Sequence, residues 1–215
     1  SALAFPAREN GHEVRLVGTH LDKEIINECK KSNQHPKFDR PFPNGVKFYQ
    51  IEDMNEALLN ANVVIGGVSS FGVEWFADVV LPAIPESAVV ITVTKGLMNT
   101  PDGKLLTYPE LWKNKLKSIN KNLSLNAIGG PCTSYELVAH DQTEVAFCGD
   151  DLKVLKYAQK CGFTQLLNDS PNRDDLGYFF LVKRFFEFKR MKSSMYADIS
   201  RKSRHLKKIK SLLKR

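Results

Sequence analysis

Two runs of the chain are apolar without alternation, Asn62–Val68 (NVVIGGV) and Ala88–Thr94 (AVVITVT). A strand buried on both faces of a parallel sheet has this pattern, because no position along it meets water. Helix-spaced positions lie between such runs. Leu21, Ile25, Ile26 and Cys29 fall on one side of a predicted helix over Asp22–Lys31. Further helices are predicted over Ser1–Asn10, from Asp53 as cap to Asn60, over Phe71–Leu81, Tyr108–Leu116 (after Thr107), Thr133–His140 and Asp151–Cys161. Strands are predicted at Glu13–Val17, Val46–Tyr49, Ser124–Gly129 and Glu144–Cys148. Gly11 supplies a left-handed stop for the first helix, and Pro36, Pro41 and Pro43 mark a loop. Repeated strand–helix units of this length predict an α/β fold, a doubly wound and mostly parallel sheet with helices on both faces.

Near residue 170 the pattern changes. Residues 168–175 are polar and turn-rich, Phe179–Phe188 is aromatic-dense among Lys and Arg, and Arg201–Arg215 is basic with Leu206, Ile209, Leu212 and Leu213 at helical spacing. The formal charge of +7 resides in this region: residues 183–215 hold 13 Lys and Arg against Glu187 and Asp198, an excess of +11 that leaves the first 182 residues at −4. The tail is therefore expected to be a basic helical or disordered segment. With no recognisable nucleic-acid module, it favours a solvated end over a nucleic-acid partner. Its phenylalanines can also bury against the sheet or a second subunit, as in a homodimer. The expected domains are residues 1–167 and a divergent tail, 168–215.

The 215 residues are 42% hydrophobic and 26% charged, ordinary for a globular protein. No apolar run approaches the ~20 residues of a membrane helix, and no basic stretch followed by an apolar one opens the chain as a signal peptide would. Cys29, Cys132, Cys148 and Cys161 show neither CxxC pairing nor metal-ligand spacing, which predicts thiols in a reducing, cytoplasmic setting. The five histidines show no metal spacing either.

In an open parallel sheet, ligands bind beyond the carboxyl ends of the strands. The residues there are Gly18-Thr19-His20, Ser69-Ser70, Lys95-Gly96 and Gly130-Pro131-Cys132-Thr133. Lys95 is the cation of the set. After a buried strand and before a glycine, its ammonium can reach a bound anion or polarise a carbonyl, although a solvated turn lysine has the same sequence signature. Gly129-Gly130-Pro131 lets the backbone approach a ligand before a helix, and it equally suits a turn with Pro at the first helical position. Cys132 has no His and Asn or Asp spaced as catalytic partners and is read as a packed cysteine. His140-Asp141 is read as a helix-terminal contact.

Taken together, SALAFPARENGHEVRLVGT, VVIGGVSS, TVTKGL and GGPCTSYELVA resemble, in order and spacing, the N-terminal domain of the NAD(P)-dependent glycerol-3-phosphate dehydrogenases over residues 1–167. The resemblance implies a Rossmann-like sheet and NAD or NADP as cofactor. It implies reversible hydride transfer between NAD(P)H and dihydroxyacetone phosphate, giving sn-glycerol 3-phosphate. It places Lys95 on both substrate and cofactor, Gly130 and Cys132 on substrate, and Thr19, Ser69, Ser70 and Ser134 on cofactor. The family's first strand and its GxGxxG loop would lie immediately before Ser1. That strand is central in the family's sheet, so its two neighbours are expected to keep unpaired edges, with marginal stability and a tendency to associate. Asp174-Asp175-Leu176-Gly177 echoes the segment before the family's general-base lysine. Phe179 then breaks the pattern, Lys183 sits two positions early, and no catalytic base is assigned. The chain alone is accordingly expected to be inactive or nearly so. Two other readings remain: a related two-domain reductase, such as a ketopantoate reductase or a 6-phosphogluconate-type dehydrogenase, and a non-enzymatic binding protein that uses the basic tail.

Overall fold

A computed structural model of the chain describes residues 1–130, 132–141, 145–149 and 152–160. The expectations for the tail, including Lys183, the phenylalanines behind the homodimer and the 167/168 boundary, lie outside these residues. The elements run α1 (Ala4–Glu9), β1 (Arg15–Val17), α2 (Lys23–Ser32), β2 (Lys47–Tyr49), α3 (Met54–Leu58), β3 (Val63–Gly66), α4 (Val73–Trp75), β4 (Val89–Thr92), β5 (Leu97–Asn99), β6 (Leu105–Thr107), α5 (Tyr108–Ser118), β7 (Ser124–Gly129), α6 (Ser134–Ala139), β8 (Ala146–Cys148) and α7 (Leu152–Lys160).

The two unalternating runs become β3 and β4, paired in parallel in the order β3-β4-β7-β8. β7 continues the parallel sheet, while β8 joins it antiparallel, Ile128 opposite Phe147. β1 and β2 form a separate parallel pair. Successive side chains of a strand point to opposite faces, and both faces here are covered. Val64, Val90 and Leu125 pack with Phe76, Leu81, Ile84, Trp112 and Leu116 in one core. On the other side Ile91, Ile128, Phe147 and Leu155 cluster together, and Phe5, Cys29, Phe42, Leu137 and Val138 pack with Val14 and Leu16. Leu3 of the N-terminal segment packs against both of these second-side clusters.

Some elements differ from the sequence reading. The helix expected over Phe71–Leu81 is broken into a 3-10 turn (Ser70–Gly72), α4, a π turn (Phe76–Val80) and a second 3-10 turn (Leu81–Ala83). Pro82 has no N–H to continue the ladder, and the Trp112 indole N–H donates to the Val73 carbonyl at 3.0 Å, a side-chain insertion of the kind that disturbs helical registers. The hairpin β5–β6 was not anticipated, although Pro101-Asp102-Gly103 between Leu97-Met98-Asn99 and Leu105-Leu106-Thr107 carries a turn signal. Asp53 stands at the cap position of α3 without a side-chain cap bond, whereas Thr107 and Glu110 form a reciprocal capping box on α5. Gly11, with φ of 85°, ends α1 as expected.

Among the ion pairs, Glu13 bridges β1 and β2: its carboxylate meets Arg15 Nε at 3.0 Å and Lys47 Nζ at 2.8 Å. Hydrogen bonds from Arg15 first, then Lys47, hold this carboxyl at about 2 against an ordinary 4.5. A depressed carboxylate stabilises the folded state fully above its unfolded pKa and loses that contribution as the pH falls through the folded value. The Glu13 contribution should therefore fade between about 4.5 and about 2. The pair is exposed, so salt will screen it. A carboxyl-resolved NMR titration is the check: a Glu13 midpoint near 4.5 would show that the bridge does not persist in solution.

Candidate functional site

The carboxyl ends of β4 and β7 converge on a cavity of about 260 Å³. Gly67, Val93, Lys95, Ile128, Gly129, Gly130, Cys132, Thr133, Ser134 and Leu137 contribute to its wall, with Ser1–Leu3 from the segment leading into α1. Four of the residues singled out from the sequence, Lys95, Gly130, Cys132 and Ser134, are thus brought together. Lys95 follows β4 and is exposed; its ammonium donates to the Gly130 carbonyl across the cavity mouth. The turn that directs it there depends on Gly96. At φ of 145°, a Cβ on Gly96 would sit 2.7 Å from the Tyr108 hydroxyl oxygen. Gly130 has φ of 134°, a conformation that L side chains rarely adopt.

Two further contacts fix the mouth, and the sequence reading missed both. Thr94 Oγ1 donates to the Val68 carbonyl at 2.5 Å, tying the loop after β4 to the loop after β3. Thr133 caps α6: its backbone N–H donates to Glu136 Oε2 at 2.6 Å, and the Glu136 N–H donates back to Thr133 Oγ1 at 3.3 Å. The Thr-x-x-Glu spacing was visible in the sequence as a capping box. It sets the start of α6 at Ser134, with Thr133 as its cap. Cys132, expected to be packed, is half-buried on the cavity wall, its thiol donating weakly to the Thr133 carbonyl at 3.7 Å. Burial pushes the Cys29 and Cys148 thiols up, which keeps them protonated. His140 ends α6 in the left-handed conformation, and its Nε2 lies 3.2 Å from Glu9 Oε1, which also pairs with Arg40.

Thr19, Ser69 and Ser70 do not line this cavity. Thr19 follows β1, and both its backbone N–H (2.9 Å) and its hydroxyl (2.6 Å) donate to Asp22 Oδ2. Ser69 and Ser70 are exposed in the turn after β3, next to Phe71, which is 97% exposed. The His20 ring lies 5.3 Å from that of Trp75, so the loop after β1 touches α4. Neither Asp22 nor Phe71 was singled out from the sequence as a site residue: each stood at the start of an expected helix.

A parallel sheet wrapped on both faces, with small residues and one cation gathered at its strand ends, is a nucleotide-binding domain of the doubly wound class. The family model described as the NAD-dependent glycerol-3-phosphate dehydrogenase N-terminus matches residues 1–154, and the chain belongs to that family. An NADP(+)-dependent glycerol-3-phosphate dehydrogenase of Archaeoglobus fulgidus is 34% identical over 148 residues, which are 68% of this chain and 42% of that protein. A glycerol-3-phosphate dehydrogenase [NAD(P)+] of Shouchella clausii is 25% identical over 178 residues, 82% of this chain and 51% of its own length. The chain thus spans about half the length of these relatives. The same fold occurs in the glycerol-3-phosphate dehydrogenases of Plasmodium falciparum (TM-score 0.65, 17% identity, 75% of this chain and 46% of that one) and Coxiella burnetii (TM-score 0.61, 21% identity, 74% and 46%).

Proposed function

We propose that the chain contributes the nicotinamide-binding half of an NAD(P)-dependent glycerol-3-phosphate dehydrogenase, which interconverts dihydroxyacetone phosphate and sn-glycerol 3-phosphate. The convergence of Lys95, Gly130, Cys132 and Ser134 on one cavity carries this reading. The residues fit the reactive end of the cofactor: Val93, Ile128 and Leu137 offer an apolar wall to a ring face, and the open space over Gly129 leaves room for close approach. When bound, the nicotinamide supplies or accepts the hydride.

The chain's own part is to bind and orient. The Lys95 ammonium exchanges the Gly130 carbonyl for an oxygen of the three-carbon phosphate, stabilising negative charge there. Cys132 and Gly130 bound the substrate, and Ser134, at the first turn of α6, faces the cofactor. Thr19, Ser69 and Ser70 lie at the ends of β1 and β3, on the adenosine side, and no described residue is assigned to the pyrophosphate. The described residues contain no assigned general base, so the chain by itself is expected to bind without turning over. The Cys29, Cys132 and Cys148 thiols support a reducing, cytoplasmic location. Among the described residues no helix is long and apolar enough to cross a membrane.

Fluorescence titration of NADH and NADPH against the folded chain, followed by a dihydroxyacetone phosphate turnover assay, tests the reading. Saturable binding of either nucleotide without turnover is expected. No binding at millimolar nucleotide would sink the cofactor half of the proposal, and steady turnover would sink the inactivity of the isolated chain.

A further inference from the structure

We propose that the chain takes NAD(H) in preference to NADP(H) and that Asp22 is the residue that sets this choice, an inference that rests on the nicotinamide-binding reading above. The two cofactors differ only at the adenosine ribose, which carries a 2′-hydroxyl in one and a 2′-phosphate in the other. A phosphate monoester brings about −1.5 to −2 charges at neutral pH and needs donors or cations to hold it. In a dinucleotide-binding sheet an acidic side chain at the strand end reached by that ribose accepts from the 2′-hydroxyl, whereas an arginine there takes the 2′-phosphate. The charge and the uncommitted donors at the end of β1 therefore decide between the two.

Asp22 stands four residues after the last residue of the ladder that joins β1 to β2, where the Gly18 N–H donates to the Tyr49 carbonyl at 3.0 Å. Its side chain does not cap α2. The chain turns back instead, the Asp22 N–H donating to the Thr19 carbonyl at 3.0 Å, and the carboxylate returns to the strand end. Oδ2 accepts there from the Thr19 N–H at 2.9 Å and the Thr19 hydroxyl at 2.6 Å. Gly18 permits this return, since a Cβ on it would lie 3.2 Å from the Asp22 Cβ and 2.5 Å from Ile26 Cγ1. Two consequences follow. Both donors that Thr19 could offer a phosphate are already given to a carboxylate. Oδ1, which no hydrogen bond among the described residues reaches, remains as an acceptor for a ribose hydroxyl.

The surrounding charges point the same way. The cations of the β1–β2 pair, Arg15 and Lys47, are the first residues of their strands, opposite one another, and both are bound to Glu13 at the amino end. Arg15 is further held by the Ala57 and Leu59 carbonyls. At the carboxyl end β2 is followed by the neutral Gln50, whose Nε2 donates to the Lys23 carbonyl at 3.0 Å and to Asn27 Oδ1 at 2.9 Å. The His20 ring is turned to Trp75. Lys23 and Glu24, both exposed on the first turn of α2, offset one another. The positive end of a helix favours a phosphate, but that of α2 is met by the Asp22 and Glu24 carboxylates instead. The sequence position alone could not show this, because Asp22 there reads as an ordinary helix cap.

The test is the dissociation constant of NADH and of NADPH, measured by fluorescence titration on the whole 215-residue chain and on two variants, at low and at high salt. The parent should bind NADH about tenfold or more tightly than NADPH, and the preference should shrink as salt screens the carboxylate. Asp22→Asn keeps an oxygen for the Thr19 donors and removes the charge. It should tighten NADPH binding about fivefold or more and leave NADH within about threefold of the parent. Glu24→Gln removes a charge of the same sign from the exposed first turn and should leave the ratio unchanged. Equal or tighter binding of NADPH by the parent would overturn the proposal and leave the nicotinamide-binding reading standing. A preference for NADH that Asp22→Asn does not reduce, or that Glu24→Gln reduces as much, would overturn the role of Asp22. Failure of the parent to bind either nucleotide would sink the underlying reading, and the preference with it.

Discussion

Replacing Trp112 with alanine is expected to destabilise the domain by about 3–5 kcal/mol, the range for truncating a large buried aromatic, and so to remove a large part of an ordinary domain's stability. Trp112 is 1% exposed and its ring stacks on Phe76 with centroids 4.5 Å apart. It also packs over Gly66, where a Cβ would approach its Cη2 to 2.7 Å, so the ring couples α5 to the last residue of β3. Its indole N–H satisfies the Val73 carbonyl within the irregular helix. Trp112→Phe keeps an aromatic face on Phe76 and loses the hydrogen bond, for which about 1–2 kcal/mol is expected. Urea unfolding followed by circular dichroism separates the two variants. A midpoint for Trp112→Ala within about 1 kcal/mol of the parent would mean that this core is not what holds β3 to α5.

Lys95→Met should weaken dihydroxyacetone phosphate binding to the nucleotide-loaded chain by about 10- to 100-fold, the equivalent of a hydrogen bond to a charged group, about 1.5–3 kcal/mol. Methionine keeps the length and apolar stem of the side chain while removing the ammonium. Lys95 is exposed and its contact is to a single carbonyl, that of Gly130, so folding should be nearly unaffected and the loss should appear in substrate titration rather than in thermal unfolding. Lys95→Arg is expected to recover only part of the affinity, since a planar guanidinium presents its donors in a different geometry from a compact ammonium. Unchanged substrate affinity in Lys95→Met would make Lys95 a turn lysine satisfied by Gly130.

Several features were legible before any coordinates. The unalternating runs at Val63–Gly66 and Val89–Thr92 required strands covered on both sides, and that requirement specifies a layered α/β domain. The strand ends pointed to Lys95, Gly130 and Cys132, because glycine and small residues after a buried strand mark where a backbone can approach a ligand; Ser134 came from the family resemblance alone. Short-range order was also local in origin: the caps at Thr107 and Thr133 and the stop at Gly11 each depend on residues within four positions of one another.

What the tertiary structure decided was long-range. Whether Thr19, Ser69 and Ser70 share a cavity with Lys95 depends on the spacing of strands far apart in sequence, and they do not line it. The break of the Phe71–Leu81 helix depends, beyond the local signal of Pro82, on an indole 39 residues away, which no local pattern could reveal. The separation of β1–β2 from the main sheet is of the same kind. Hydrophobic periodicity fixes which residues face inward within an element, because it is a property of 3.6- or 2-residue repeats. Which element lies beside which is set by the packing of whole faces, and only there did Asp22 and Phe71 become visible.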